Sequence, residues 1–360
     1  MKKKNKAIYL LFLMPFVYFA TACFVVWLVK TSGIYPSGSD TMYHVYRGDY
    51  VYNAIKSGNW YPLYDPAWYN GVEILRYWSP FPAYVMAFCQ YLAGGSQFGA
   101  YLFYIGGVCF LGACVWPFIG RGFNRPYLGA FIGLLWFFMP NNLCAIFIEG
   151  NLARSLSMIF LPVFIYSVYK YLYNHKLRYI PLMVFTFLLM ELCHLGYAGM
   201  VAIAVIIYGI VYIIQKGRKK AVLDVVISMI FGFMLLGIWL GAALRGGITS
   251  LDNSENMANF FQNLWITINP FERLTRGFEY FYFGFATLVV FGILFGYKKS
   301  RTGFVTGFII LLMTTKSAYA VLKHLPGSQY LWMLRFISIA LCMILMSFLM
   351  WDRLKKTLVL

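Results

Sequence analysis

The stretch "GSDTMYHVYRGDY", Gly38–Tyr50, sets Asp40, His44, Arg47 and Asp49 close together in a chain that is otherwise mostly apolar. If residues 40–56 fold as a helix that stops by Gly58, then Asp40, His44 and Arg47 fall at i, i+4 and i+7 on one face. Tyr46, Tyr50 and Asn53 then lie on the other side. A carboxylate with an imidazole one turn away supports two chemistries. It can share a divalent cation, Mg or Mn, through oxygen and nitrogen ligands, or it can act as a general base that its neighbour orients. Asp40 and His44 alone are too few ligands to define a metal site. Each residue also has a plainer use: Asp40 as a helix cap, His44 at the membrane interface, and Arg47 reaching lipid phosphate. Asp49 reads as solvated.

The elements that must hold these residues are membrane helices. Hydrophobic residues make up 61% of the 360 and charged residues 12%, and mean hydropathy is +0.68, far from the balance of a soluble domain. Apolar runs of roughly 18 to 22 residues recur between basic or Gly/Pro-containing breaks, and about ten of them are long enough for a 30 Å hydrocarbon core. They are 7–29, 98–119, 126–146, 154–172, 179–195, 197–214, 221–243, 278–297, 302–322 and 330–350. The run Phe81–Leu92 is too short to cross and reads as interfacial or re-entrant. The first run is too long for a signal-peptide core and lacks a small-x-small cleavage site, so it is expected to be a retained span. The seven cysteines are scattered through apolar segments without CxxC spacing and behave as small hydrophobes.

Charge orients the spans. "MKKKNK", "GRGFNRP", "KYLYNHKLR", "QKGRKK", "YKKSR" and "WDRLKK" are short basic loops that fall on one side when ten spans are threaded, which places both termini in the cytoplasm. That bias accounts for nearly all of the net charge of +18, so no nucleic-acid partner is implied. The other side carries all of the 12 Asp and Glu residues except Asp224 and Asp352, and two long loops, 30–80 and 244–277. No P-loop or GxGxxG precedes a helix, and the inner loops are too short for a nucleotide-binding domain, which excludes ATP-driven transport by this chain. The whole of 1–360 reads as one transmembrane domain.

The first long loop continues as "SGNWYPLYDPAWYNGVEILRYWSPFPAYVMAF". Asp40 soon after the first span, an "H..R" helix and then "G.W.P......G.......P.P.Y" resemble the first outer loop of GT-C-fold membrane glycosyltransferases. The nearest likeness is to prokaryotic membrane proteins of the 6-pyruvoyl-tetrahydropterin synthase-related membrane domain family, a name that implies no pterin chemistry here. "EGNLARSLSMIFLPVFIYSVYKYL" is similar to the family's polar turn and Pro-containing fourth span, "LLMELCHLGYAGM" to its His-bearing hairpin, and "HLPGSQYLWMLRFISIA" to its late Pro, Gln, Trp, Arg run. The likeness touches most of the chain in order. One departure is that Trp332 and Arg335 are spaced apart where the family tends to join them. Another is that relatives often continue further, so a short or C-terminally truncated member is expected.

The resemblance implies an all-α GT-C-like bundle of about ten transmembrane helices, with interfacial helices in an outer-face first loop. It implies transfer of a sugar from a polyprenyl-phosphate donor to an extracytoplasmic glycan, lipid or teichoic-acid-type acceptor at a prokaryotic plasma membrane. Carried over residue by residue, Asp40 is the catalytic base and His44 its support or a cation ligand. Arg154, His194 and Arg335 are basic residues at outer span ends, suited to the departing phosphate, joined by Arg47, Glu149 and Asn151 as substrate-binding candidates. Glu149, Asn151 and Arg154 could equally satisfy the start of the next helix, and His194 with Glu191 could form a buried polar pair. Three other functions stay open at this point: a lipid-linked oligosaccharide flippase or transporter, a polysaccharide polymerase, and an inert partner that keeps the GT-C scaffold.

Overall fold

The computed structural model describes residues 2–68, 70–245, 292, 298–314, 316–325, 328 and 331–351. Most of the expected second outer loop, 244–277, and the whole expected span 278–297 apart from Gly292 lie outside them. Among the described residues the chain is all helical, with one isolated bridge between Asp65 and Val72 and no strand. In order the helices are α1 (Lys2–Ser32), α2 (Thr41–Lys56), α3 (Ile74–Tyr77), α4 (Phe81–Leu92), α5 (Gln97–Gly122), α6 (Pro126–Phe138) and α7 (Pro140–Phe147). They are followed by α8 (Leu152–Asn174), α9 (Tyr179–Lys216), α10 (Lys219–Leu235), α11 (Gly237–Arg245), α12 (Lys298–Met313), α13 (Lys316–Leu322) and α14 (Phe336–Leu349).

Among the described residues four segments are long and apolar enough to cross a membrane: Phe12–Ser32, Gln97–Gly122, Leu152–Asn174 and Tyr179–Lys216. The pair α10 and α11, bent by 64° at a short break, makes a fifth if counted as one span. Pro126–Trp136, Ser300–Met313 and Met333–Leu349 are apolar but shorter. By this measure the described residues hold fewer spans than the apolar runs of the sequence suggest, because several runs are divided between two short helices. The run 126–146 is such a case: α6 stops before Pro140, and α7 starts with that proline at its first position.

The longest helix is where length alone misleads. A straight α9 would extend for about 57 Å at 1.5 Å per residue. Yet the Tyr179 ring lies 6.0 Å from Tyr166, while Tyr212 donates 2.6 Å to the carbonyl of Leu172, so both ends of α9 meet the same end of α8. Phe187 on Phe164 at 5.3 Å and Tyr208 stacked on Tyr169 at 4.6 Å repeat the pattern further along. The reversal occurs at His194, whose φ of −157° and ψ of 93° break the helix. The two arms, before and after His194, coincide with the runs 179–195 and 197–214.

Helices in lipid associate through close packing rather than expulsion of water, so small residues matter at crossings. At the α5–α6 crossing a Cβ added at Gly120 would stand 2.7 Å from the Gly129 Cα. Around it the core is aromatic: Trp116 and Trp136 are fully buried with ring centroids 5.4 Å apart, and Tyr18 donates 2.8 Å to the Ala130 carbonyl. The first loop forms its own small core of Val51, Ile74, Leu75, Ala83 and Ala87, which packs α2 and α3 onto α4.

Candidate functional site

The site is assembled where the loop before α2 meets the turn before α8. Residues 38–40 run against 148–150: Ser39 N donates to the Ile148 carbonyl at 3.3 Å, Asp40 N to the Glu149 carbonyl at 3.0 Å, and Ser39 Oγ to the same carbonyl at 2.8 Å. Only glycines permit this approach. A Cβ at Gly38 would stand 2.7 Å from the Gly150 Cα, and Gly150 itself has φ +65°, the left-handed region that side chains avoid. The junction fixes two carboxylates, Asp40 and Glu149, from adjacent backbones.

Helix α2 covers Thr41–Lys56, as the residue pattern predicts, with Asp40 at its N-cap position. The Asp40 side chain makes no capping hydrogen bond, so the plainer use foreseen for it is not the one observed. Its carboxyl is pushed above the usual carboxylate range, first by burial and then by Glu149, while Arg335 and Arg47 act in the opposite direction. His44, one turn on, is held well below the ordinary imidazole value by burial, with Arg47 and His194 adding repulsion. It is a neutral ring one helical turn after Asp40, whose carbonyl accepts from His44 N at 3.2 Å.

Arg47 is half-buried and lies against aromatic rings. Its guanidinium lies 4.2 Å from the Trp78 ring and 5.4 Å from that of Trp68. Trp68 stacks on Trp78 at 5.7 Å and on Tyr43 at 5.6 Å, so a layered aromatic wall stands beside the polar face of α2. Asp49, read as solvated, instead accepts 2.7 Å from the buried Gln90 and ties α2 to α4.

From α8, Asn151 is the N-cap and accepts from Arg154 N at 3.0 Å. Its side chain is engaged in that cap, and the cap places the next turn. Arg154, 3% exposed, reaches back to Glu149 at 2.7 Å. The other oxygen of Glu149 faces Arg335 Nε at 3.7 Å. Arg335 ends a short 3₁₀ turn, Met333–Arg335, and its guanidinium lies 4.6 Å from the Trp332 ring. In a 3₁₀ turn side chains three apart eclipse, so the separation of Trp332 from Arg335 in sequence brings the two together in space.

His194 sits at the reversal of α9. Its Nδ1 accepts from Tyr197 N at 3.1 Å, which starts the second arm and leaves the proton of the neutral ring on Nε2. Ser79 of the first loop bridges the break, donating to the Glu191 carbonyl at 2.9 Å and accepting from Leu195 N at 3.3 Å. Arg47, Arg154 and Arg335 all lie within electrostatic reach of His194. The Glu191–His194 pair foreseen as an alternative does not form: Glu191 is 1% exposed, and its Oε2 has no hydrogen-bond partner among the described residues.

Asp40, His44, Arg47, Glu149, Arg154, His194 and Arg335 thus gather at one end of the bundle. Trp68, Trp78, Tyr43 and Ser79 join them without having been singled out from sequence; the aromatic density of the first loop was the only signal for the rings. Among the described residues no group of three or more His, Cys, Asp or Glu side chains could hold a metal ion. Asp40 and His44, the pair considered for Mg or Mn, have the Glu149 carboxylate and the Arg47 and Arg335 guanidinium groups as charged neighbours.

Residues 75–360 match the family described as the 6-pyruvoyl-tetrahydropterin synthase related domain, a membrane protein. The matched region contains Glu149, Asn151, Arg154, His194 and Arg335 and begins after Asp40, His44 and Arg47. No curated protein and no solved structure matches the chain. With most of its length inside that match, the chain belongs to the 6-pyruvoyl-tetrahydropterin synthase-related family of membrane proteins.

Proposed function

We propose that this protein is a GT-C-like membrane glycosyltransferase that moves a sugar from a polyprenyl-phosphate carrier to an extracytoplasmic glycan, lipid or teichoic-acid-type acceptor. In this reading about ten passes cross a prokaryotic plasma membrane, with the two arms of α9 counted separately and both termini in the cytoplasm. The observation that supports it most is the placement of Asp40: a half-buried carboxyl group, unused as a helix cap, one helical turn before a neutral histidine and within electrostatic reach of Arg335 and Arg47.

The Asp40 carboxylate takes the proton of the acceptor hydroxyl as that oxygen attacks the anomeric carbon. The bond from the anomeric carbon to the phosphate oxygen breaks, its electron pair stays with the phosphate, and the configuration inverts. Arg335 and Arg154 receive the developing phosphate charge, and His194 offers its Nε2 proton as a further donor. His44 keeps Asp40 oriented without adding a charge, and Arg47, backed by Trp78, raises the local positive potential. No step is routed through a metal ion.

The test is sugar transfer in proteoliposomes supplied with a mixed pool of polyprenyl-phosphate sugars, comparing the native chain with Asp40→Asn at matched folded amounts. Loss of a general base predicts a fall of about 100-fold or more. Transfer that survives Asp40→Asn would move the chemistry elsewhere, and a native chain inactive with every donor would leave the scaffold as a transporter or inert partner.

A further inference from the structure

The aromatic wall beside Asp40 has a part that packing of the first loop does not use. Tyr43 stacks on Trp68 and Trp68 on Trp78, each pair with an interplanar angle of 4°. Trp68 is carried by a closed loop: Asp65 and Val72 exchange two backbone hydrogen bonds at 2.9 Å, and Gly71 N donates to the Trp68 carbonyl at 2.8 Å. Asp65, 3% exposed, accepts from Tyr46 Oη at 2.6 Å, which fastens that loop to α2. The Tyr46 ring also meets Trp68 edge-on at 5.1 Å. Trp68 and Trp78 are half-buried, and this packing accounts for them. Tyr43 differs. Its stack on Trp68 covers one face, yet the residue is 45% exposed, so the opposite face is open among the described residues. Tyr43 follows Asp40 by three residues at the start of α2, and residues three apart are neighbours on a helix surface, with about 5 to 6 Å between Cβ atoms. An open aromatic face therefore stands one turn from the carboxyl group assigned as the base.

We propose that the open face of Tyr43, backed by Trp68 and Trp78, is a stacking platform for a pyranose ring of the acceptor, which makes the acceptor a glycan. The axial C–H bonds of a pyranose gather on its two faces and carry partial positive charge, while the face of an aromatic ring is negative, so the two stack with the sugar hydroxyls projecting from the rim. A ring seated on Tyr43 turns a rim hydroxyl toward Asp40, where the base takes its proton. The loop that carries Trp68 is already closed and fastened to α2, so little further ordering opposes binding. The inference rests on the transferase reading and deepens it, because it selects one of the acceptor classes open to that reading.

The test is equilibrium binding to the full-length, detergent-solubilised protein, followed by saturation-transfer NMR with three probes: methyl β-D-glucopyranoside, methyl β-D-galactopyranoside and ribitol. Ribitol has the hydroxyls of a sugar without a ring face. The native chain is expected to bind at least one pyranoside roughly ten-fold more tightly than ribitol, with saturation reaching the ring C–H protons first. Tyr43→Ala, at an exposed position, is expected to weaken that pyranoside roughly ten-fold and to leave ribitol unchanged. Tyr43→Phe keeps the ring and should bind within about two-fold of the native chain, which separates stacking from a hydrogen bond by the Tyr43 hydroxyl. Native protein that binds neither pyranoside overturns the proposal, as do equal affinity for ribitol, undiminished binding in a folded Tyr43→Ala protein, and a loss in Tyr43→Phe as large as in Tyr43→Ala. Because binding needs no turnover, a chain that binds pyranosides through Tyr43 but transfers no sugar defeats the transferase reading and leaves the platform standing. A chain that transfers sugar equally well with Tyr43→Ala keeps the transferase reading and removes the platform.

Discussion

The two ends of the bundle use the same residue types in opposite ways. At the site end, each of three arginines has a defined neighbour: Arg47 lies over Trp78, Arg154 on Glu149, and Arg335 between Glu149 and Trp332. At the other end, His175, Arg218, Lys219 and Lys220 line an open cavity of about 650 Å³, and all four are exposed. Arg218 touches the His175 ring, and Asp224 accepts from Tyr171, which leaves the lysines to solvent. The second end leaves its charges exposed, with less structure around them. Charge that sets the orientation of a chain in a membrane needs only number, whereas charge that handles a ligand needs neighbours that fix its position and restrict its water.

The sharpest way to break this comparison is to truncate one arginine at each end. Arg154→Ala leaves Glu149 without its close partner and is expected to cost about 3 to 5 kcal/mol, while Arg218→Ala stays within about 0.5 kcal/mol. Thermal unfolding in detergent measures both, and equal losses would mean that the ends do not differ. Next in size is Gly150→Ala, where a side chain meets Thr41 and Gly38 at φ +65°; a loss of about 1 to 3 kcal/mol is expected, with transfer falling further than stability because the junction places Asp40.

Acid sharpens the contrast through the groups of the site end. The folded pKa of His44 lies below its unfolded value of about 6.5, so the unfolded chain takes up that proton first and stability declines as the pH falls below about 6.5. His44→Gln should flatten that decline in pH-dependent melting curves. Over a higher range than an ordinary carboxylate would give, the transfer rate should fall with falling pH as Asp40 protonates, since the base must be ionised. The smallest expected effect is that of Lys219→Gln with Lys220→Gln: unchanged transfer and a melting shift inside about 0.5 kcal/mol, checked in the same proteoliposomes.

Much of what is local was legible in the sequence. The extent of α2 followed from a polar start at Asp40 and a terminal Gly58, and α4 matched a run too short to cross. The proximity of Glu149 and Arg154 was within reach because the two are five residues apart on one turn and helix start. Arg335 was placed at an outer span end, but its contact with Glu149 is a tertiary fact that no spacing encodes. The role of Asn151 was open until the cap bond to Arg154 N showed where its side chain goes. Arg47 suited lipid phosphate or loop structure on the sequence alone; that two tryptophans from a later part of the loop lie against it is a tertiary fact that no spacing encodes. The number of spans was the least secure reading, since hydropathy marks apolar runs and not where a run bends, as α9 does at His194.

The junction of Gly38–Asp40 with Ile148–Gly150 joins segments separated by about 110 residues, and Arg335 completes the cluster from still further along. A ribosome adding about 5 to 20 residues per second delivers these pieces seconds apart. During that interval the nascent chain presents Asp40 with Arg47 of the same helix but without Glu149 or Arg335. Asp40 therefore gains its full set of neighbours only when the segment that carries Arg335 docks. A chain interrupted earlier would sit in the membrane with that set incomplete.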